Sequence, residues 1–547
     1  MAFLTLTAAH DGAAQATRMG QYERGNIPAE ILERPLPLRE GIGKAQEAVT
    51  TSSPDAQAYY DQGVAYLHSY VWIEAARSFH QAIRIDAQLA MAYLGLSYAL
   101  GELGQSEDAR RASEKASALS GRVTDRERIR VSLRALQLAA AAQPENQSLE
   151  RDYRKQFDLA VTKYPKDVEL LLLRGHLEEG THDAPGMAGG AGSVPYYERA
   201  LAQQPGYFAT HHYLTHAYEN LGRLDRALEH ATEYVHLAPE VPHAHHMYGH
   251  VLRRVDRMPD AIAEFRRADQ LALAYFQTEH IAPEYDWQYH HNLDLLGMSY
   301  QYMGQRRLAE ATLRRSFELP SIELSQQLTE SAWPMLLLGL GRAEQALAAT
   351  RALAARDAPL VQALGLLLSS RVLMTLRRMN DATEQGDRAI RQMRAAGAIS
   401  GVLVPELQLT QGEFLLRQGQ PERGRTMLRE AVEKLQAEPR ADAWTHTLLR
   451  LEAACRLTRE LGEWSLAREF AEQMRQFDPA YAGTHYALAK AADHQGNVAM
   501  AREEYQAAVH RWRMADADFG PLTDARQRLA ALQVTSTGTR QEPPKRP

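Results

Sequence analysis

Residues 56–87, AQAYYDQGVAYLHSYVWIEAARSFHQAIRIDA, and residues 90–119, AMAYLGLSYALGELGQSEDARRASEKASAL, carry the pattern on which the fold rests. Shifted by 34 residues, Tyr59, Gly63, Tyr66, Ala75, Phe79 and Ala82 fall on Tyr93, Ser97, Leu100, Ala109, Ser113 and Ala116. Apolar residues recur three and four apart, as one face of a helix requires. Small residues stand where two helices approach closely, and large apolar ones fill the gaps around them. The unit predicted is a helix, a polar turn and a second helix.

The same frame returns along the chain. At Phe208 it brings Tyr218, Gly222, Ala227, Ala231 and Pro239; at Pro242, Gly249, Ala261, Phe265 and Ala268; at His290, Gly297, Tyr300, Gly304, Ala309 and Leu313. Units at Leu448 and Ala482 share the turn glycines Gly462 and Gly496, with Ala467 and Ala501 after them. Weaker units occupy 123–165 and 168–205 and recur around Leu328, Ala363 and Val404. No alternating strand pattern of useful length occurs. The unit resembles the tetratricopeptide repeat, and about twelve of them predict an all-α chain folded as an α-solenoid. The organisation expected is an irregular N-terminal arm (1–50), an array over 51–322, a second over 323–534 with a capping helix, and a disordered tail (535–547). Two insertions break the register: a Gly-rich loop at 180–195 and an aromatic segment at 273–289.

Composition narrows the chemistry. In 547 residues, 62 Lys+Arg against 68 Asp+Glu leave a charge of −6, without the basic footprint of a nucleic-acid binder. Mean hydropathy is −0.43, and no apolar run is long enough for a transmembrane segment. The single cysteine, Cys455, excludes intrachain disulfides and CxxC motifs, and at a small-residue position it reads as packing. No P-loop, dinucleotide-binding, HExxH or GxSxG motif is present, so no catalytic residue is assigned. The start, MAFLTLTAAHDGAAQA, lacks the basic region of a signal peptide. It reads as an arm of a cytoplasmic protein, or of a periplasmic or secreted one if it is a cleaved or truncated signal.

The unusual entry is histidine. Nine of the 21 lie between residues 211 and 250, where an even distribution would put about 1.5. His212 and His246 are 34 apart, as are His216 and His250, so the pairs hold equivalent places in consecutive repeats. Each pair is spaced by four and shares one face of the first helix of its unit. Glu219 continues the stripe, Arg253 is its equivalent one repeat later, and His243 and His291 hold the second position of their units. Asp294 holds a fifth position, and His176 and Glu179 are an earlier candidate pair. Packed helices lie about 8–10 Å apart, so the two His-xxx-His pairs are expected to converge on one point, with Glu219 completing or orienting the set. Nitrogen-rich ligation without thiolate suits a divalent transition metal, zinc, iron, copper or nickel, and sequence does not rank them. A histidine-lined groove recognising a polar peptide, or a structural histidine ladder, fits the same residues. Tyr285, Trp287 and Tyr289 are expected to wall or cover the groove, or to patch the interrupted stack.

The segments HHYLTHAYE, HAHHMYGHVLR and YDWQYHHNLDLL, with the stretch from Val49, resemble a histidine-rich group of bacterial tetratricopeptide proteins of undefined activity. The match spans roughly residues 45–320. The resemblance implies importance for His212, His216, Glu219, His243, His246, His250, His291 and Asn292. Tyr248 stands where that group has proline. Two functions are therefore expected: a scaffold binding a protein or peptide in its concave groove, or a metal-binding protein or metalloenzyme with a His/Glu site on the repeats at 208–300.

Overall fold

The computed structural model describes residues 27–45, 47–179, 187–437, 441 and 443–537. Every regular element among them is helical, and none is long and apolar enough to cross a membrane. Paired in chain order, the helices make twelve helix-turn-helix units, from Pro54–His68 with Trp72–Ile85 to Ala482–His494 with Val498–Arg511. Gly520–Thr537 follows as a last single helix. In the eighth unit the first helix is broken into Leu324–Thr329 and Ala332–Gly339. The fold is a tetratricopeptide-like α-solenoid. Most of the arm expected over 1–50, residues 180–186 of the Gly-rich insertion and residues 538–547 of the tail lie outside the described residues.

The small-residue positions act as the spacing requires. A Cβ on Gly63 would stand 2.5 Å from the Phe79 ring, and one on Gly249 would stand 2.7 Å from the Phe265 ring. Only a bare Cα lets the second helix press its aromatic residue against the first. The turn within many units places one residue in the left-handed region. That residue is glycine at 104, 222, 304, 341, 419, 462 and 496, but Tyr70 (φ 59°), Asp256 (φ 57°) and Arg377 (φ 60°) in three others.

The chain divides into two compact units. Among the described residues, those up to Asn292, with 321–323, form the first; 293–320 and the residues from Leu324 form the second. The division falls inside the helix Tyr289–Tyr302, whereas the sequence reading put its boundary at 322/323.

In the first unit the superhelix closes on itself. The 273–289 insertion begins as two extra turns of the helix Met258–Glu279, stops at His280 in the left-handed conformation, and continues through the short turn Pro283–Tyr285. These extra turns reach back to the first helical pair. Arg77, 1% exposed, donates to Glu74 at 2.6 Å and to Glu279 at 2.8 Å. Arg39 reaches the same Glu279 carboxylate, and Tyr275 donates to Glu74 at 3.0 Å. Trp287 stacks on Trp72, centroids 4.9 Å apart, and its indole N–H donates to the Tyr70 carbonyl at 3.1 Å. The insertion is a staple between the sixth pair and the first, and it encloses the histidine face. The second unit, described by itself, also returns on itself: Arg306 and Arg307 pair with Asp518, and Tyr302 donates to Asp478 at 2.9 Å.

Candidate metal centre

Three consecutive first helices present the histidines: Phe208–Asn220, Pro242–Arg254 and the start of Tyr289–Tyr302. Their inward face buries His212, His216, His243, His246 and His250 almost completely. These residues, expected to line the concave groove, are buried within the first unit.

The histidines form two clusters where one was expected. His212, His216 and His243 bring one ligand nitrogen each within 4.8 Å of the others, and so do His246, His250 and His291. Each cluster takes its i, i+4 pair from one repeat and its third imidazole from the next. In the first, ring centroids are separated by 5.0 Å (His212–His216), 4.6 Å (His212–His243) and 5.6 Å (His216–His243). The equivalent separations in the second are 4.6 Å (His246–His250), 5.0 Å (His246–His291) and 5.6 Å (His250–His291). The same arrangement is thus built twice, one repeat apart, and His243 and His246 stack between the two at 5.8 Å.

Hydrogen bonds at Nδ1 turn the first imidazole of each cluster. His212 Nδ1 donates to the His68 carbonyl at 2.6 Å, which leaves Nε2 as the lone-pair nitrogen. That Nε2 lies 2.8 Å from His243 Nε2 and 3.1 Å from His216 Nε2. In the second cluster the Asn292 amide donates to the Phe265 carbonyl at 3.0 Å, which directs its oxygen to His246 Nδ1 at 3.1 Å and again puts the lone pair on Nε2. The Gln288 amide nitrogen meets His243 Nδ1; such a donor places the His243 proton on Nε2, so His243 offers a lone pair at Nε2 only with that amide turned to present its oxygen. Such partners behind a ligating imidazole set its tautomer and direction. Burial, and then the neighbouring imidazole, His216 for His212 and His212 for His243, push both pKa values well below the ordinary histidine range. Both therefore present neutral donors at pH 7.

The donor set fits an imidazole-ligated metal. Nitrogens at the corners of a tetrahedron around zinc, with Zn–N of about 2.1 Å, are about 3.4 Å apart. The Nε2 separations in the first cluster are a few tenths of an ångström shorter, so loading requires only a slight spreading of the rings.

The other expected residues take definite places. Glu219, buried, stands behind the second cluster: its Oε2 is 3.5 Å from His250 Nδ1, and Arg254 donates to its carbonyl at 2.9 Å. It orients a histidine and joins neither group of ligand atoms. Arg253, also buried, lies 3.2 Å from the same His250 Nδ1. Tyr289 packs on Phe276 and donates to Asp269 at 3.0 Å. Trp287 belongs to the staple, and Tyr285 is half-buried against the core. His176 and Glu179 pair at 3.4 Å, with the Tyr197 hydroxyl on Glu179. Asp294 falls in the second unit and accepts from Thr329.

Sequence reasoning missed Tyr70, Gln288 and His68. Tyr70 roofs the first cluster, its ring 4.5 Å from His212, 4.9 Å from His243 and 5.9 Å from His216. One signal was present: HSYVW puts a tyrosine at the turn position that most repeats give to glycine. His68 adds a buried network, meeting Tyr213 at 2.6 Å and Glu169 at 2.9 Å, with Tyr207 donating to Glu169 at 2.6 Å.

No protein-family model and no curated protein matches the chain. Among solved structures it is similar to YrrB, described as a TPR protein with an unusual peptide-binding site, at 17% identity and a TM-score of 0.26, over 36% of this chain and 91% of that one. It is also similar to human IFIT1, solved as a dimer with PPP-AAAA, at 11% identity and a TM-score of 0.38, over 77% of this chain and 90% of that one.

Proposed function

We propose that this chain is a metal-binding repeat protein whose tandem three-histidine clusters each hold one transition-metal ion through imidazole Nε2 atoms. The observation that carries this reading is the repetition. Three imidazoles meet in nearly the same geometry twice, at positions one repeat apart, and in each cluster a hydrogen bond at Nδ1 of the leading histidine sets the tautomer with the lone pair on Nε2. Packing alone asks for apolar residues at such buried positions. Imidazoles there instead bring three ring nitrogens within 4.8 Å of one another in each cluster, a spacing that one ion can bridge.

This reading keeps the α-solenoid as a binding scaffold in the wide sense and makes the ion its ligand. A peptide in the groove, the other expectation from sequence, would have to reach His212, His216 and His243 where they are buried with Tyr70 packed against them. The test is elemental analysis of untagged full-length protein purified without chelator. About two ions per chain are expected, falling to one in His216→Gln and in His250→Gln. Substoichiometric metal unchanged by either substitution overturns the proposal.

A further inference from the structure

On the second compact unit, four arginines converge on one cavity. It holds about 350 Å³, at the lower end of the range of small-molecule sites, and its walls include Arg306, Arg307, Glu310, Arg314, Trp333 and Arg342. Arg306, Arg307, Glu310 and Arg314 share one face of the helix Arg306–Glu318. The opposing wall comes from the eighth unit, where the first helix is broken. Its second piece, Ala332–Gly339, carries Trp333, half-buried against the core of this unit. The turn after that piece carries Arg342, which donates to Glu310 at 2.7 Å.

The carboxylates that meet these arginines are fewer than the guanidinia. Glu310 is shared by Arg342 and, at 3.5 Å, by Arg306; Asp518 is shared by Arg306 and Arg307, at 3.1 Å each. Arg314 lies 3.9 Å from Glu318, beyond hydrogen-bonding range, and both are exposed. Asp516 accepts the main-chain N–H of Arg307 at 2.9 Å. Among the described residues, the cavity wall itself sets four guanidinia against the one carboxylate of Glu310. Like charges gathered around one cavity repel one another, and an anion between them offsets that repulsion. Closing the unit through Asp518 uses Arg306 and Arg307 and leaves Arg314 and Arg342 unexplained.

The shape of the row selects the anion. From Arg306 to Arg314 the helix advances about 12 Å, too far for one phosphate group and of the order of an oligophosphate chain. Guanidinium forks match phosphate oxygens, each having five N–H donors of which these ion pairs use one or two. Trp333 adds an aromatic surface to the same wall, of the kind on which a nucleic-acid base stacks.

We propose that this cavity is a nucleotide site, which takes the phosphates of a nucleoside triphosphate on the arginine row and its base against Trp333. The function is additional to metal binding and uses none of the histidines.

The experiment is calorimetric titration of the full-length untagged protein, at low ionic strength, with ATP, inorganic triphosphate and citrate. One ATP per chain is expected, bound more tightly than triphosphate, with citrate weaker than triphosphate by about tenfold or more. Arg314→Gln and Arg342→Gln should each weaken ATP about tenfold. Glu310→Gln, which removes the carboxylate from the wall, should tighten it severalfold. Trp333→Leu should weaken ATP about fivefold and leave triphosphate unchanged. Arg314 is exposed, so its replacement leaves the helical circular dichroism of the wild type in place. Absence of saturable ATP binding, an affinity unmoved by Arg314→Gln, or weaker binding in Glu310→Gln overturns the site. Citrate bound as tightly as triphosphate overturns the assignment to phosphate. ATP affinity unchanged by Trp333→Leu overturns the base contact; if that variant does not fold, equal affinity of the wild type for ATP and triphosphate does so.

Discussion

His212 Nδ1 and the main-chain oxygen of His68 are 144 residues apart in sequence and 2.6 Å apart in space. Through this bond the end of the first helix of the array orients a histidine of the fifth pair, so the geometry of the first cluster depends on closure of the first unit.

Bound metal should therefore stabilise the closed unit. An ion at a hundred times its dissociation constant contributes about 2.7 kcal/mol, and two sites contribute more. Chelation with EDTA is expected to lower the thermal midpoint of the wild type. His212→Gln should show a smaller shift, because one site is already lost. Differential scanning calorimetry with and without chelator makes the comparison, and equal midpoints in the wild type would count against the metal.

The staple is open to a direct test. Arg77 is buried between Glu74 and Glu279, and truncating one member of such a group leaves the remaining charges without compensation, at a typical cost of about 3–5 kcal/mol. Arg77→Ala should show this loss in urea unfolding. Glu279→Gln keeps the shape and a hydrogen-bonding group and should cost less. A loss for Arg77→Ala below about 1 kcal/mol would mean that the staple is not what closes the unit.

Gly249→Ala tests the packing rule of the repeat. The new methyl would stand 2.7 Å from the Phe265 ring, which also touches His246 and His250. Overpacking of this kind costs about 1–3 kcal/mol. Displacement of Phe265 should also weaken metal retention at the second cluster more than at the first, read by competition with a chelator.

The acid side of the stability profile is set partly by His230. Burial, followed by the neighbouring His211, lowers its pKa to about 4. The unfolded chain, with a histidine pKa near 6.5, binds the proton first, so stability is complete above about pH 6.5 and declines as the pH falls from there toward 4. His230→Leu should flatten this slope. Urea midpoints at pH 7 and pH 5 provide the measurement, and an unchanged pH 5 loss in the variant would assign the slope to other groups.

Much of this architecture was legible in the chain because it is local. The 34-residue period, the glycines facing Phe79 and Phe265, and the turns at Gly462 and Gly496 follow from contacts within one unit or between neighbours, where spacing in sequence is spacing in space. The phase of His212 with His246, and of His216 with His250, was legible for the same reason. How the imidazoles group was not. Spacing by four places two rings on one face but does not say whether the next helix is offset so that His246 or His243 meets them; the offset makes it His243.

By itself, then, the sequence determined the repeat, the helices and the face that carries the histidines, because each depends on periodicity over a few turns. Only the tertiary structure decided that six histidines make two triads, that Glu219 stands behind one of them, and that Tyr70 roofs the other. Those outcomes depend on how adjacent helices slide past one another and on a superhelical turn that brings residue 70 against residues 212 and 243, and neither quantity is encoded in any short window of the chain.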